Sequence, residues 1–120
     1  MQCILNGGLS LVVPVYGNED SIDALVQAIA SMRGGVGDDF EAIFVVDGSP
    51  DRSYAKLLER LPTAPFRSRL LTLTRNFGAF PAIRAGLAAA DGEHIAVMAA
   101  DLQEPPELVL TFHRMLSAGE

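Results

Sequence analysis

Cysteine is nearly absent from this sequence, since among 120 residues only Cys3 carries a thiol. One cysteine can form no disulfide within the chain, and it cannot build a zinc site from several cysteines. Such cysteine usage is typical of reducing compartments, so we expect a cytoplasmic protein.

Positive charge is also scarce. Lysine and arginine together number 9 against 15 aspartates and glutamates, which gives a formal net charge of −6. A protein that binds duplex nucleic acid displaces counterions with a basic surface, so we expect no nucleic-acid partner. All the cations except Lys56 are arginines, however, and arginine makes forked contacts with phosphate.

Long apolar runs and common nucleotide motifs are missing as well. The longest unbroken apolar run extends from Ile95 to Ala100, far short of the roughly 20 residues that cross a bilayer. No basic residue precedes Glu19, and Gly7, Gly8 and Pro14 interrupt the opening, so a secretion signal is not expected. Neither Gly-x-Gly-x-x-Gly nor a Walker A sequence occurs, which argues against NAD and P-loop ATP chemistry.

What is present is the composition of one globular domain, with 49% hydrophobic and 20% charged residues. Four β-rich runs alternate with helical segments, and the second and fourth runs carry almost no polar residues, as in parallel strands covered on both faces. The sequence therefore predicts an α/β fold with a mostly parallel sheet of about four strands and flanking helices. The runs are Leu9 to Val15, Ala42 to Val46, Leu70 to Thr74 and Ile95 to Met98.

The segments between the runs carry helix signals. Asn18 or Asp20 is expected to cap the first helix, and Gly34 with Gly35 to end it. Ser53 is expected to cap the second helix. The expected helices are Ile22 to Met32, Tyr54 to Leu61, Phe80 to Ala90 and Glu107 to Leu116.

Polar residues cluster after each of the four runs. The carboxyl ends of parallel strands share one edge of a sheet, and ligands bind outside that edge. We therefore expect four loops to converge there: Tyr16 to Glu19, Asp47 to Asp51, Arg75 to Gly78, and Asp101 to Glu104.

The second loop has two interpretations. Asp47 can accept a hydrogen bond from a ribose hydroxyl or a base N–H, while Gly48 lets the backbone turn closely around the ligand. Equally, Asp47 can form an ordinary turn that caps the next helix. Asp51 and Ser53 are expected to be caps rather than ligands.

The third loop is similarly open. Arg75 and Asn76 suit a phosphate oxygen, but Arg75 can instead pair with one of the carboxylates in the neighbouring loops. Phe77 and Phe80 are expected to pack in the core.

The fourth loop offers hard oxygen ligands. Asp101 and Gln103 are of the kind that Mg²⁺ or Mn²⁺ accepts, and such an ion can bridge protein to a diphosphate. The alternative is a helix N-terminus at which Asp101 and Glu104 complement the dipole.

Five segments from about Ser10 to Leu116 occur in a characteristic order: Val13-Pro14-Val15-Tyr16-Gly17-Asn18-Glu19, Val46-Asp47-Gly48-Ser49-Pro50-Asp51, Arg75-Asn76-Phe77-Gly78, Ala82-Ile83-Arg84-Ala85-Gly86-Leu87, and Asp101-Leu102-Gln103-Glu104-Pro105-Pro106-Glu107. In this order they resemble the family 2 glycosyltransferases. The third and fifth segments are most similar to the branch that transfers a sugar from a nucleotide diphosphate to polyprenyl or dolichyl phosphate.

The resemblance implies a Rossmann-like GT-A fold, a nucleotide-diphosphate sugar as donor and inversion at the anomeric carbon. It implies that Pro14, Tyr16 and Glu19 line the nucleotide pocket. Asp47 would meet the base or ribose, and Arg75 would lie near the nucleotide and diphosphate.

The resemblance also implies that Asp101 contacts the nucleotide sugar and, together with Gln103, holds Mg²⁺ or Mn²⁺. Val46 and Ala99 stand where the family usually has aspartate, and the missing carboxylate at Ala99 is expected to weaken metal binding.

Family members usually continue into an acceptor-binding half that supplies the catalytic base. We therefore expect residues 1–9 to be an N-terminal extension and residues 10–120 the nucleotide-sugar-binding part of a GT-A domain, inactive in transfer on its own. A lipid-phosphate acceptor would be reached through a missing C-terminal part, at the cytoplasmic face of the membrane in the full-length protein. Surface exposed where that part should pack is expected to favour a homodimer.

Two other functions remain open at this point. Ala99 is compatible with a non-catalytic pseudoenzyme that only binds a nucleotide sugar. Asp47 at the end of a strand is compatible with a flavodoxin-like signalling domain, in which Glu19 and Asp20 would imitate an acidic pair, although Lys56 is the one lysine of the chain.

Overall fold

Four parallel strands form one sheet in the order β3-β2-β1-β4 in the computed structural model, which describes residues 8–36, 40–90, 94–98 and 100. The predicted parallel α/β sheet is confirmed. The order also differs from the 2-1-3-4 order of flavodoxin-like domains, so the signalling alternative is wrong. The strands are β1 (Leu9–Val15), β2 (Phe40–Val46), β3 (Arg67–Thr72) and β4 (His94–Val97).

β2 and β3 begin earlier than predicted because charged residues lie inside these strands. β3 also ends at Thr72 rather than Thr74, and β4 begins and ends one residue earlier than predicted. β2 begins at Phe40 rather than Ala42 and includes Glu41, which is buried. The Ser10 hydroxyl donates to Glu41 Oε2 at 2.7 Å, and Arg69 Nε lies 3.5 Å from Oε1. β3, which begins at Arg67 rather than Leu70, supplies that arginine from the edge of the described sheet.

Three helices are described: α1 (Ile22–Val36), α2 (Ser53–Arg60) and α3 (Ala79–Ala89), with short 3₁₀ turns at Glu19–Ser21 and Leu61–Thr63. The prediction that Gly34 and Gly35 end the first helix is wrong, because α1 includes both. A glycine costs a helix only about 1 kcal/mol, and the buried side chains of Ile22, Leu25 and Ile29 anchor α1. The helix expected at Glu107 to Leu116 lies outside the described residues.

The side chains of Asn18 and Ser53, which the sequence predicts as caps, do not cap a helix. Asn18 Oδ1 accepts the N–H of Tyr16, and no side-chain cap bond occurs at the 3₁₀ turn that follows it. Ser53 is itself the first residue of α2, and its N–H donates to Asp51 Oδ1 at 3.0 Å.

Alternate side chains of the strands enter two apolar clusters, one on each face of the sheet. On one face, Phe40 and Phe44 of β2 pack with Phe66 and with the buried residues of α1 and α2. On the other face, Ile43 and Val45 pack against Ala82 of α3. Across the described residues, no helix is both long and apolar enough to cross a membrane.

Candidate functional site at the carboxyl edge of the sheet

The loop after β1 is fastened to the loop after β2 by side-chain oxygens. Three consecutive backbone N–H groups donate across the gap: Gly17 to Ser49 Oγ at 2.9 Å, Asn18 to Ser53 Oγ at 3.1 Å, and Glu19 to Asp51 Oδ2 at 3.2 Å. Lys56 Nζ adds a bond to the Glu19 carbonyl at 2.9 Å. The sequence signal for this contact is the close spacing of Ser49, Asp51 and Ser53 in the second loop, for which capping of the next helix alone is no sufficient explanation.

Asp51 lies at the centre of these hydrogen bonds between the two loops. It accepts hydrogen bonds from the Ser49 hydroxyl and from the N–H groups of Ser53 and Glu19. Burial alone raises the pKa of Asp51, but the bonds from Ser49, Ser53 and Glu19 outweigh it and lower the pKa from 3.8 to about 2. Asp51 is therefore a structural carboxylate at the start of α2, in keeping with its predicted capping role.

Asp47 holds the loop after β3 in the same way. Its buried carboxylate accepts three hydrogen bonds: Phe77 N–H to Oδ1 at 2.9 Å, Gly78 N–H to Oδ2 at 3.0 Å, and Asn76 Nδ2 to Oδ2 at 3.2 Å. The carboxylate lies beside the N-terminus of α3, where free N–H groups and the helix dipole favour negative charge. Asn76 thus binds Asp47, although the sequence suggests a phosphate.

Gly48 brings the second and third loops into contact. Its φ is +64°, and an added Cβ would overlap the backbone of Arg75 and Asn76. Glycine at this position therefore permits the close approach of the neighbouring loop, and the expectation that the backbone here turns around a ligand stays a prediction.

Arg75 lies exposed at the edge, with its guanidinium carbon 4.3 Å from the centre of the Phe77 ring. Within the part of the chain that the structure describes, no carboxylate forms an ion pair with Arg75. The prediction that Phe77 and Phe80 lie in the core is wrong, since they are 43% and 80% exposed. The reason is that α3 packs on the sheet through small residues such as Ala82, which turns Phe80 outward.

The remaining nucleotide-pocket candidates flank these loops. Pro14 is half-buried in β1. The pairing of β1 with β4 ends at Val12, so the N–H that proline lacks removes no hydrogen bond from that pairing. Tyr16 is 50% exposed directly after β1, and Glu19 is half-buried in the following turn. The structure therefore brings Tyr16, Glu19, Asp47 and Arg75 to one edge, on three interlocked loops.

The fourth loop, Asp101 to Glu104, lies outside the described residues, and the structure describes only residues that precede it. The Met98 N–H donates to the Val12 carbonyl at 3.0 Å, and Ala100 is 3% exposed. Ala99, Asp101 and Gln103 lie outside the described residues. Among the residues that are described, no group of three or more histidine, cysteine or acidic side chains could hold a metal, and the metal site stays a prediction.

The sequence profile described as "Glycosyl transferase family 2" matches residues 10–118 of this chain, which therefore belongs to that family. An uncharacterized glycosyltransferase of Bacillus subtilis (strain 168) is 43% identical over 101 residues, covering 84% of this chain and 31% of the relative. An undecaprenyl-phosphate 4-deoxy-4-formamido-L-arabinose transferase of Pectobacterium carotovorum is 39% identical over 100 residues, covering 82% and 30%. The chain thus spans about a third of the length of these relatives.

Solved structures identify the fold as GT-A. A mannosyltransferase of Pyrobaculum calidifontis in complex with GDP-Man and Mn²⁺ matches with a TM-score of 0.78 and 21% identity, over 89% of this chain and 32% of the other. TarS of S. aureus in complex with UDP-GlcNAc matches with a TM-score of 0.69 and 24% identity, over 78% and 26%. The GT-A prediction is confirmed.

Proposed function

We propose that this chain carries the nucleotide-sugar-binding part of an inverting glycosyltransferase, which transfers a sugar from a nucleotide-diphosphate sugar to a polyprenyl phosphate. Family membership supports the reaction class, and the Pectobacterium relative is named for transfer to undecaprenyl phosphate. The observation that carries the proposal is at the carboxyl edge. Tyr16 and Arg75 are exposed there, on loops in which the side chains of Asp47, Ser49, Asp51 and Asn76 bind within or between the loops.

In this proposal the exposed side chains receive the donor. The ring of Tyr16, with Pro14 and Glu19 beside it, lines the nucleotide pocket. The guanidinium of Arg75 binds the diphosphate and stabilises the negative charge that grows on it as the sugar leaves. A fixed cation in this position acts more strongly than a mobile one, because no reorganisation is needed during the reaction.

Asp47 positions Arg75 in this proposal. A carboxylate offers about four acceptor sites, and the described residues fill three of them on Asp47. One site is left for a ribose hydroxyl or base N–H, the contact that the resemblance implies. The three internal bonds set the path of the loop from which Arg75 projects.

Asp101 and Gln103 are the proposed holders of Mg²⁺ or Mn²⁺, and Asp101 also contacts the nucleotide sugar. Their oxygens suit either ion, and the strand that precedes them runs toward the same edge. When bound, such an ion supplies Lewis-acid stabilisation of the leaving diphosphate.

Titration calorimetry with UDP and with GDP, each with and without Mn²⁺, tests donor binding. Arg75→Gln is expected to weaken binding about tenfold, the usual loss of one charge-assisted hydrogen bond. Arg52→Gln is the matched control, because Arg52 is exposed at the start of α2 and its only described ion pair, with Glu59, spans 4.0 Å. Absence of binding to both nucleotides, or an equal loss in the two variants, would refute the proposal.

The second candidate is a pseudoenzyme that binds the nucleotide sugar without metal chemistry. It is favoured by Ala99 and Val46, which replace the aspartates usual in the family, and Val46 is 1% exposed within the core. Affinity that rises with Mn²⁺ supports the enzyme, and affinity indifferent to Mn²⁺ supports the pseudoenzyme. Ala99→Asp is expected to strengthen the Mn²⁺ dependence in the first case by adding an oxygen ligand.

The proposal for the whole protein extends beyond this chain. Residues 1–9 are assigned to an extension and residues 10–120 to the donor part, with the catalytic base and lipid-phosphate site in the part of the relatives that the chain does not match. The proposed location is the cytoplasmic face of the membrane. A homodimer remains a prediction that size-exclusion chromatography tests.

A further inference from the structure

Positive charge is concentrated in one stretch of this acidic chain. Residues 60–90 contain five arginines and no lysine, aspartate or glutamate, so that all 15 carboxylates lie elsewhere in the sequence. Two of the five are engaged: Arg60 Nε lies 2.7 Å from Asp23 Oδ1, and Arg69 contacts Glu41 and donates to the Ala89 carbonyl at 2.7 Å. Arg67, Arg75 and Arg84 are exposed, and none of the described residues forms an ion pair with them.

The outward side of α3 is apolar as well as cationic. Phe80, Arg84 and Leu87 follow the i, i+4, i+7 spacing of one helix face, and Phe80 and Leu87 are 80% and 42% exposed. The opposite side of α3 packs on the sheet through Ala82 and through Gly86, which lies against Val12. α3 therefore carries apolar side chains on both of its sides, although the sheet covers only one of them.

Arg67 extends this surface along the edge of the described sheet. Side chains two apart on a strand share a face, and Leu71 of β3 packs in the α3-side cluster. Arg69 and Arg67 therefore lie on the side of the sheet that carries α3. We call the surface formed by Arg67, Phe80, Arg84 and Leu87 the α3 face.

We propose that the α3 face docks on a lipid bilayer with anionic headgroups. Its arginines complement such headgroups, and an exposed phenylalanine and leucine can enter the boundary between headgroups and acyl chains. A second copy of the chain fits less well, because a symmetric contact would place the same arginines against each other.

Docking would also place the candidate site at the membrane. α3 begins beside the carboxyl edge, where Gly78 donates to Asp47. A docked α3 therefore brings that edge close to a lipid-borne phosphate. This step rests on the proposed function, in which the acceptor is such a phosphate.

Vesicle flotation of the 120-residue chain tests the docking. The chain is expected to float with vesicles of phosphatidylcholine and phosphatidylglycerol but not with phosphatidylcholine alone, and less at high salt. Phe80→Ser is expected to lower partitioning about tenfold through lost apolar burial, and Arg84→Gln about fivefold through one lost charge. Leu58→Ser and Arg52→Gln are matched controls on α2, which packs on the other face of the sheet, and they are expected to float like the parent chain.

Three results would overturn the docking. The first is failure to float with anionic vesicles, and the second is flotation that neither α3 variant weakens. The third is a dimer in size-exclusion chromatography that Phe80→Ser converts to a monomer, since the face would then join two copies. The nucleotide titration reports separately on the donor site, so a chain that floats without binding nucleotide keeps the docking and loses the proposed function.

Discussion

At the scale of single residues, two separate features of the structure require glycine at position 48. Its left-handed backbone costs a residue with a Cβ roughly 1–2 kcal/mol, and the overlap with the Arg75 backbone adds about 1–3 kcal/mol. Gly48→Ala is therefore expected to lower the free energy of unfolding, measured in urea, by about 3 kcal/mol.

Gly17 separates the two causes. Its φ is +67°, but an added Cβ meets nothing within 4 Å. Gly17→Ala is expected to show only the backbone cost of about 1–2 kcal/mol. If the two variants were equally destabilised, the close approach of the second and third loops at Gly48 would be wrong.

Asp51 makes stability depend on pH. Its pKa is about 2 in the folded protein and 3.8 ordinarily, so its contribution is fully present above pH 3.8 and is lost as the pH falls toward about 2. The difference in unfolding free energy between the parent chain and Asp51→Asn, measured in urea, is expected to shrink across this interval.

Asp20→Asn is the control for Asp51, because Asp20 is exposed in the adjoining turn and no hydrogen bond to its carboxylate is found among the described residues. Its difference from the parent is expected to stay small across the same interval. A difference for Asp51→Asn that stayed constant with pH would contradict the role given to the Asp51 carboxylate.

At the scale of elements, α3 depends on a close approach to β1. A Cβ added at Gly86 would overlap Val12 Cγ1 and lie 3.3 Å from Val45 Cγ2. Replacing glycine by alanine inside a helix is ordinarily favourable by about 1 kcal/mol, but here the packing conflict is expected to reverse the sign. Gly86→Ala should lower the free energy of unfolding by about 1–3 kcal/mol.

Val12→Ala provides the compensating change. It removes the methyl groups that a Cβ at Gly86 would meet, so the double variant is expected to lose less stability than the sum of the single variants. Additive losses in a double-mutant cycle would show that α3 and β1 do not meet at this point.

The elements also show what sequence periodicity can predict. β1 has the predicted bounds because its apolar run coincides with the strand. β2 and β3 begin earlier than predicted because Glu41 is buried with Ser10 and Arg69 as partners, a compensation visible only after the strands are paired. A buried charge satisfied by a partner distant in sequence leaves no local signal.

At the scale of the whole molecule, the α/β class and the convergence of the first three loops could be predicted because strand and helix periods differ and parallel strands share one edge. The partners within that edge could not. Asp47 has the chemistry of a ligand-binding residue, yet it accepts three hydrogen bonds from the loop after β3. Asp51 is predicted as a cap, yet it also accepts the N–H of Glu19 in the loop after β1. Whether a carboxylate faces a ligand or its own chain depends on contacts that only the three-dimensional structure supplies.

Donor binding at the carboxyl edge is tested most directly by an amide NMR titration of the chain with UDP or GDP in the presence of Mg²⁺. The amide signals of Gly17, Gly48 and Gly78, one on each of the three interlocked loops, are predicted to shift with added nucleotide. Gly86, which lies between α3 and the sheet, is predicted to stay unchanged. Signals of the three loop glycines that stay in place at saturating nucleotide would contradict the account.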